Sequence, residues 1–330
     1  MEKSTHKVEV VRVVLDPHPN ADSLSVVRVF GGYTVCVRTE DWSGIELGAY
    51  IPPDSVVEST RPEFAFLAGH ERIRVKRLRG VVSMGLLIPA PDGARLGEDV
   101  AELLGVSHYE PPLPLMARGD EEGAPAGFHP SYDVDSLRRF AHLFVEGEPV
   151  WVTEKIHGVN ARFCYAEGRM RAGSRGTWKK YDKANLWWKA LDQCPEIAAF
   201  CERNPEMTIY GEVFGSVQSL KYGTRPGETR VAVFDILDRA EWVDAEAALD
   251  LAPELPWVPR VATHIPFEAE RVFALAEGPS LIPRAQHYRE GIVVKPLRER
   301  TDFEIGRVCL KVVSNAYLEK DQESRIEDRG

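Results

Sequence analysis

Residues 151–160 read as a β-strand that ends in a tight turn, with a single lysine at the junction. Tryptophan, valine and threonine at the start favour extended backbone on a half-buried pleated surface. Gly158 indicates the turn, because glycine supplies backbone freedom. Lys155 lies just before the turn, between Glu154 and His157, so a strand end provides a rigid mount for its amine.

Lys155 can act as a nucleophile only after it loses its proton. A free lysine has a pKa near 10.4, so roughly one in a thousand is neutral near pH 7. Burial or nearby cations lower such a pKa by several units. The plainer interpretation is a surface lysine beside a hairpin, since Lys-x-x-Gly alone matches often by chance.

The string Glu-Lys-x-His-Gly-x-Asn at residues 154–160 resembles motif I of the ATP-dependent RNA ligases, within the covalent nucleotidyltransferase superfamily. In that family the lysine attacks the α-phosphate of ATP and carries AMP as a phosphoramide. The resemblance implies that Lys155 is catalytic. For His157 two interpretations stay open: it orients the leaving pyrophosphate, or it packs at the turn. The resemblance also implies nucleotide contacts from Glu154, Ile156, His157 and Asn160.

Two further elements of the superfamily follow in order. The Ser-Arg-Gly loop at residues 174–176 resembles one whose arginine contacts nucleotide phosphate or sugar, which implies that role for Arg175. Residues 210–215 resemble motif III, whose glutamate takes the ribose hydroxyls. Glu212 suits that task because a carboxylate accepts two hydrogen bonds from a diol. The alternatives are a turn arginine and a strand-edge glutamate.

The strand at residues 230–236 resembles motif IIIa, whose aromatic residue stacks on adenine. The resemblance assigns that stacking to Phe234, and the alternative is an ordinary core phenylalanine. Asp235 needs a partner if it is buried, so we expect it to brace the nucleotide site through a hydrogen bond.

The last two motifs carry the remaining charged residues. Glu290 and Lys295 belong to a string that closely resembles motif IV, whose glutamate holds a divalent metal and whose lysine reaches phosphate. Lys311 lies in a strand that resembles motif V, which faces the α-phosphate. Motif V commonly has two lysines one residue apart, but Cys309 occupies the first place here. We expect Lys295 or Arg307 to compensate.

These implied roles form one chemical scheme. Phosphoryl transfer depends on in-line placement and charge neutralisation. Lys295, Lys311 and a divalent ion would stabilise the α-phosphate of ATP and would depress the pKa of Lys155. Carboxylate and phosphate oxygens are hard ligands, which predicts Mg²⁺ or Mn²⁺.

The amino-acid composition argues against several other classes of protein and of binding site. The chain has 330 residues, 44% of them hydrophobic and 28% charged, which is typical of a globular protein. The five cysteines form no Cys-x-x-Cys pair, and the nine histidines are scattered, which argues against disulfide, zinc and histidine-based metal sites. Without an apolar membrane span or leader, we expect a cytoplasmic protein with no membrane partner and no obligate protein partner.

The N-terminal third predicts a small β-barrel. About five short strands alternate with turn clusters, including a hairpin at Gly31-Gly32. The pattern resembles oligonucleotide-binding (OB) folds of tRNA-binding modules and of one branch of RNA ligases. A basic strand would direct its charges to phosphates and its apolar residues into the barrel, or would be a solvated edge strand. The candidate nucleic-acid contacts are Arg72, Arg74, Lys76 and Arg79.

The predicted organisation is therefore α+β, with an OB-like module at 1–106, a Pro- and Gly-rich linker at 107–130 and a nucleotidyltransferase domain at 131–330. The catalytic part would have antiparallel sheets with flanking helices. Helices are predicted over residues 133–146 and 183–202.

We expect no C-terminal OB domain, because few residues follow Lys311. This short C-terminal segment, together with the N-terminal OB-like module, resembles RNA ligase family five. That branch seals 3′-OH/5′-phosphate nicks in duplexes with a ribonucleotide on the 3′-OH side. This implies a role in RNA repair, with a nicked duplex as partner. The alternatives are a non-catalytic nucleic-acid-binding protein of the tRNA-binding type, and a capping or DNA-joining nucleotidyltransferase.

Overall fold

The computed structural model describes residues 6–109 and 119–319 of the chain. The chain divides into two compact units: residues 1–111, 138–141 and 318–330 form the first, and 112–137 and 142–317 form the second. The proline cluster at residues 111–114, part of the predicted linker, lies outside the described residues. In the described part of the chain, no helix has the length and apolar character needed to span a membrane.

The first unit consists of short strands, as the sequence predicted. The hairpin at Gly31-Gly32 is confirmed, with Val29 opposite Tyr33. Residues 83–88 are divided between two strands that pair with different partners. The strands are β1 (Glu9–Arg12), β2 (Asp16–Pro17), β3 (Leu24–Val29), β4 (Tyr33–Arg38), β5 (Leu47–Ile51), β6 (Ser55–Val56), β7 (Lys76–Leu78), β8 (Val81–Ser83), β9 (Leu86–Pro89) and β10 (Ser107–His108).

Antiparallel pairs β1-β5-β9, β2-β3-β4, β7-β8 and β6-β10 surround two apolar clusters in this unit. Ile51 and Phe64 are fully buried in one cluster, and Val27 and Val35 are buried in the other. The unit also contains helix α1 (Ala101–Leu104) and two short 3₁₀ helices, Thr39–Trp42 and Pro62–Leu67. Short strands wrapped around an apolar interior are the architecture of a small barrel.

The described residues of the second unit form two large sheets and one two-stranded pair, Thr301–Asp302 with Gly306–Arg307. The larger has the order β11-β16-β15-β14-β17-β18-β19, and the smaller has the order β12-β24-β21-β13-β20. Every pair is antiparallel except β12 with β24. The strands are β11 (Glu121–Glu122), β12 (Asp135–Ser136), β13 (Pro149–Lys155), β14 (Val159–Ala166), β15 (Arg169–Gly173), β16 (Trp178–Lys179), β17 (Met207–Gly215), β18 (Thr229–Asp238), β19 (Glu241–Trp242), β20 (Arg260–Pro266), β21 (Gly291–Pro296), β22 (Thr301–Asp302), β23 (Gly306–Arg307) and β24 (Leu310–Val313).

Part of the predicted linker belongs to the larger sheet. β11 pairs with β16, and Glu121 accepts a hydrogen bond from the Lys179 ammonium at 2.9 Å. The Gly- and Pro-rich composition of residues 119–130 predicted a boundary, but the backbone of this segment adds a strand to the second unit.

The helix predicted over residues 183–202 is wrong in extent. The structure has two helices, α3 (Leu186–Asp192) and α4 (Pro195–Arg203). Pro195 causes the break, because proline lacks an amide hydrogen and its ring clashes with a preceding carbonyl, whereas it fits the first turn of a new helix. Trp187 and Trp188 of α3 are both buried in the core.

The helix predicted over residues 133–146 is also wrong. These residues contain β12, helix α2 (Leu137–Phe140) and a 3₁₀ helix, Ala141–Leu143. The backbone of Asp135 and Ser136 pairs with Leu310 and Lys311, so a tertiary strand contact replaces the local helix.

Apolar residues between the larger sheet and its helices form the main core of the second unit. Phe163, Trp187 and Ile209 are fully buried there. The described part of this unit also contains helices α5 (Ala245–Leu251) and α6 (Ala269–Ala274), and a further helix begins at residue 315. The core fixes β14 and β17, the central strands of the sheet, and thereby the side chains at their ends.

Candidate active site

Lys155 lies where the chain passes from one sheet of the second unit to the other. β13 of the smaller sheet ends at Lys155, which is opposite Gly291 of β21. After a short turn the chain enters β14 of the larger sheet, where Asn160 is opposite Glu212 of β17. This crossing brings three of the predicted motifs, which are far apart in sequence, to one place.

Gly158 permits a close approach between the turn and β17. A Cβ atom at this position would lie 2.2 Å from the carbonyl oxygen of Val213 and 2.8 Å from Cγ of Glu212. The Gly158 amide also donates a hydrogen bond to the Glu212 carboxyl group. The sequence interpretation gave Gly158 a role in backbone freedom, whereas the structure gives a steric reason for glycine.

Lys155 is paired with a carboxylate. Its Nζ atom donates to Oε1 of Glu290 at 2.7 Å, and the two side chains are 25% and 10% exposed. Burial alone would lower the pKa of Lys155, but the charges of Glu290 and Glu212 outweigh it and raise this pKa above its usual value. The prediction that Lys295 and Lys311 depress the pKa of Lys155 is therefore wrong when only the side chains of the protein are considered, without a divalent ion.

The two carboxyl groups beside Lys155 titrate in opposite directions. Burial, together with the charge of Glu290, raises the pKa of Glu212 to about 8. The Lys155 charge and contacts with His157 outweigh burial at Glu290 and lower its pKa to about 2. At neutral pH the site therefore holds a charged Lys155–Glu290 pair and a protonated Glu212.

The ring of His157 is held by side chains that the sequence analysis did not identify. Nε2 lies 3.2 Å from the Ser219 hydroxyl, and Nδ1 lies 3.2 Å from the Tyr317 hydroxyl. The His157 amide donates to the Tyr222 hydroxyl at 2.6 Å. His157 thus packs at the turn, and its role toward pyrophosphate stays a prediction. No local pattern marks the three partners, because the fold alone brings them to the turn.

Two buried oxygens in this region fit a divalent cation. Oε2 of Glu290 and Oδ1 of Asn160 have no hydrogen-bond partner among the described residues. No group of three or more His, Cys, Asp or Glu side chains suited to a metal occurs in residues 6–109 and 119–319. Mg²⁺ and Mn²⁺ often take only one or two carboxylates and complete their shell with phosphate and water, so Glu290 fits such an ion.

Lys311 lies close enough to Lys155 for their charges to interact. Burial lowers the pKa of Lys311, and the charge of Lys155 lowers it further. Arg175 is at an exposed position, where it pairs with Asp133 at 3.0 Å. Asp133 and Asp135 in turn contribute negative charge near Lys311. The structure therefore brings Lys311 close to Lys155. It does not bring Arg175 to them, because Arg175 pairs with Asp133.

Asp235 is the centre of a buried charge cluster. Its side chain is 1% exposed and accepts hydrogen bonds from Lys295 at 2.6 Å and from Arg307 at 2.8 and 3.1 Å. The Tyr132 hydroxyl donates to the same carboxylate. Arg307 and Lys295 outweigh burial and lower the pKa of Asp235. The prediction that a buried Asp235 requires a partner is confirmed.

The same cluster determines where the Lys295 side chain lies. Lys295 also donates to the carbonyl oxygen of Phe234 at 3.1 Å, and it lies opposite Trp151 on β13, whereas Lys155 lies opposite Gly291. The geometry therefore does not bring Lys295 to the Lys155 amine. Its predicted phosphate contact has no support from this arrangement.

Neither cation proposed to replace the missing lysine of motif V is available. Lys295 is committed to Asp235, and Arg307 pairs with Asp235 and with Glu299 at 2.7 Å. Cys309 is buried beside this cluster, 3.4 Å from the Tyr132 hydroxyl. A lysine at residue 309 would add a third cation there, which gives a physical reason for the cysteine.

An apolar cluster lies next to the nucleophile. Ile156, Phe214 and Tyr222 are buried in it, and half-buried Phe234 packs against it. Phe234 is thus in a suitable place for the predicted stacking.

Glu154 is buried, and it accepts hydrogen bonds from the Ser280 hydroxyl at 2.5 Å and the Leu281 amide at 2.6 Å. Its carboxylate therefore holds a loop of the second unit, a contact that the sequence did not reveal.

The basic segment of the first unit has the predicted alternation, although only its end from Lys76 is a regular strand. Ile73 and Val75 are buried. Arg72 donates to Asp54 at 3.1 Å, and its guanidinium lies 3.7 Å from the Tyr109 ring centroid, so its charge is neutralised locally. Arg74 is half-buried, and Lys76 and Arg79 are exposed. Their contact with nucleic acid stays a prediction.

The family is decided by a comparison of the sequence with protein-family models. Residues 148–313, half of the chain, match the model of the RNA ligase family. The chain belongs to the RNA ligase family. An OB-fold domain model matches residues 6–90, which confirms the barrel predicted for the N-terminal third of this ligase. A comparison with curated proteins gives no significant match.

Solved structures share the fold of this RNA ligase. An apo mutant of Naegleria gruberi RNA ligase has a TM-score of 0.81 and 23% identity, covering 97% of this chain and 100% of that one. A mutant of the same enzyme with ATP and Mn has a TM-score of 0.81 and 24% identity, covering 96% and 99%. The enzyme with PPi gives the same values.

Proposed function

We propose that this chain is an ATP-dependent RNA ligase that joins 3′-OH and 5′-phosphate ends through AMP carried on Lys155. The observation that carries the proposal is the meeting of Lys155, Glu212 and Glu290 at the junction of the two sheets. The proposed substrate is a nick in a duplex whose 3′-OH end is a ribonucleotide.

In the first step, Nζ of Lys155 forms a bond to the α-phosphorus of ATP, and the bond to the pyrophosphate oxygen breaks. The amine must be neutral, so its pairing with Glu290 at 2.7 Å has to be released before attack. A divalent ion bound at Glu290 would compete with Lys155 for this carboxylate and neutralise phosphate charge.

The surrounding residues would bind the nucleotide. Lys311 would face the phosphate, Glu212 would take the ribose hydroxyls, and Phe234 would cover adenine above the cluster that contains Ile156. The relatives solved with ATP, or with AMP, and Mn support ATP and a divalent ion as the cofactors of this chain.

In the later steps, AMP would pass from Lys155 to the 5′-phosphate of the break, and the 3′-hydroxyl would then attack that phosphate and release AMP. Atoms balance because each step exchanges one oxygen or nitrogen partner of phosphorus for another.

The test is adenylylation followed by nick sealing. Wild type and Lys155→Ala are incubated with labelled ATP and Mg²⁺ or Mn²⁺, and then with nicked duplexes that end in an RNA or a DNA 3′-OH. The proposal predicts a labelled wild type, an unlabelled variant and faster sealing of the RNA end. Binding without AMP transfer would instead indicate a non-catalytic protein, and equal or faster sealing of the DNA end would remove the RNA preference.

A further inference from the structure

A cleft of about 570 Å³ in the second unit is lined by three arginines. Arg225 lies between β17 and β18, Arg230 lies near the start of β18, and Arg284 comes from the segment that precedes β21. Glu228 is the one acidic residue of the lining, so the cleft has a formal charge of +2. This is unusual in a chain with a net charge of −10.

Among the described residues, only one of the three arginines forms an ion pair within the cleft, although the Arg225 charge also helps to lower the pKa of Glu228. Arg230 pairs with Oε1 of Glu228, with Nε at 2.8 Å and Nη2 at 2.7 Å. The other oxygen of Glu228 accepts a hydrogen bond from the Arg225 amide at 2.9 Å. Among the described residues, the guanidinium groups of Arg225 and Arg284 have no ion pair with a carboxylate. Both side chains are exposed, so their donors are accessible to a ligand.

Arg284 has an unfavourable backbone conformation that its neighbour accommodates. Its φ of +73° lies in the left-handed region, which is uncommon for a residue other than glycine. Gly223 packs against it, and a Cβ on Gly223 would lie 2.6 Å from the carbonyl oxygen of Arg284. Strained conformations that persist in a structure tend to occur at ligand sites, where they direct a side chain.

Both segments that line the cleft lead along the chain to the candidate active site. Tyr222 precedes the lining residue Gly223 and accepts a hydrogen bond from the His157 amide at 2.6 Å. The segment that contains Arg284 continues to Glu290, and the ring of His287 on it lies 4.6 Å from the Tyr222 ring. Arg230 lies opposite Phe214, which follows Glu212 on β17 by two residues, so a ligand that extends from the site along this strand would pass the cleft.

We propose that this arginine cleft binds a backbone phosphodiester of the nucleic-acid substrate next to the break, an inference that rests on the proposed function. Guanidinium groups recognise phosphate with paired hydrogen bonds, and accessible arginines suit a strand that must bind and leave. The same chemistry would fit the triphosphate of ATP. The exposed position of the arginines favours a nucleic-acid strand over ATP as the ligand.

The test measures binding apart from chemistry. The double variant Arg225→Gln/Arg284→Asn removes both charges, and asparagine tolerates the left-handed backbone. Binding of a fluorescent nicked duplex with an RNA 3′-OH is measured by anisotropy without ATP at several salt concentrations. We expect affinity to fall about tenfold near 0.1 M salt, and the slope of log affinity against log salt to decrease by about 1–2.

Arg239→Asn is the matched control. Arg239 is also exposed, also has positive φ, at +55°, and follows the far end of β18, roughly 30 Å from Arg230 at about 3.4 Å per residue. It should bind as wild type does. Arg225→Gln alone leaves Arg284 in place and should lower the salt slope by about 1, which tests the proposal even if the double variant folds poorly. Arg284→Lys retains the charge and should retain the slope.

Adenylylation of Lys155, measured without nucleic acid, shows whether the cleft binds the phosphate of a nucleic-acid strand or the triphosphate of ATP. An unchanged KM for ATP in the double variant, together with weaker duplex binding, supports the proposal. Unchanged duplex affinity and salt slope would overturn it, and so would a raised KM for ATP with normal duplex binding. If wild type forms no AMP adduct, the proposed function fails, but the binding measurement still decides whether the cleft contacts nucleic acid.

Discussion

Glu290 holds the ammonium group of Lys155 at 2.7 Å, so the proposed nucleophile is stabilised in its protonated form. A nucleophilic amine must be neutral. Glu290 is therefore either a counter-ion that restrains Lys155 or a ligand that releases it when a cation binds. Its Oε2 atom accepts no hydrogen bond among the described residues and lies 3.6 Å from Nδ1 of His157, which favours the second role.

Replacement of Glu290 by glutamine distinguishes these roles. If Glu290 only restrained Lys155, Glu290→Gln would lower the pKa of Lys155 and speed adenylylation. We predict the reverse, a loss of at least about 100-fold, because the variant lacks the anionic oxygens for a divalent ion. Removal of divalent ions with a chelator should abolish the wild-type adduct. The exposed Glu270→Gln is the control, and faster adenylylation by Glu290→Gln would refute the ligand role.

Glu212 should contribute to function at the expense of stability. Its folded pKa of about 8 exceeds the ordinary value, so the folded state loses stability relative to the unfolded chain as pH rises from about 4.5 to 8. Glu212→Gln should therefore raise the free energy of unfolding by about 4 kcal/mol at pH 8, at roughly 1.4 kcal/mol per unit of pKa difference, and by little near pH 4.

The same variant should weaken ATP binding, since both oxygens of a carboxyl group, charged or protonated, can accept from the ribose diol, whereas an amide has one acceptor oxygen. Denaturant unfolding at the two pH values measures the stability change, and the KM for ATP in adenylylation measures the binding change. Equal stability gains at pH 4 and pH 8 would contradict the raised pKa of Glu212.

The buried cluster around Asp235 should be essential for folding. Asp235→Asn leaves Lys295 and Arg307 buried without their shared carboxylate, which should cost about 3–5 kcal/mol. Cys309→Lys adds a third cation beside them and should also destabilise the protein, whereas Cys309→Ala should cost about 1 kcal/mol. Thermal unfolding compares the three variants. A Cys309→Lys variant as stable as wild type would refute our explanation for the missing lysine.

In the first unit, exposed and paired basic residues should respond differently to charge reversal. Lys76→Glu and Arg79→Glu should weaken binding of a nicked duplex and flatten its salt dependence, with little change in stability. Arg72→Glu should destabilise the protein, because it places a second carboxylate beside Asp54. Binding isotherms and melting temperatures separate the two effects, and normal binding by Lys76→Glu/Arg79→Glu would favour the solvated-edge interpretation.

The parts of the fold that local patterns encode could be predicted from the sequence. The strand that ends at Lys155 and the Gly31-Gly32 hairpin both depend on neighbouring residues, and both occur in the structure. Pro195 was visible in the sequence as a helix breaker, but the apolar periodicity across it suggested one helix. β12 was not predictable, because its partner β24 lies far away in the chain.

The candidate site was predictable only as far as its motifs extend. The resemblance to motif IV implied that Lys295 reaches the phosphate, but Lys295 is instead paired with Asp235. The raised pKa of Lys155 was missed for a related reason, since charge balance depends on which groups the fold places nearest. The Tyr222 contact with the His157 amide arises from tertiary structure alone.

Mass spectrometry of the protein after incubation with ATP and Mg²⁺ or Mn²⁺ tests the central claim most directly. We predict one AMP on the peptide that contains Lys155, no adduct on Lys155→Ala, and a normal adduct on the exposed-lysine control Lys183→Ala. Absence of AMP from the wild type, or equal labelling of Lys155→Ala, would contradict the account.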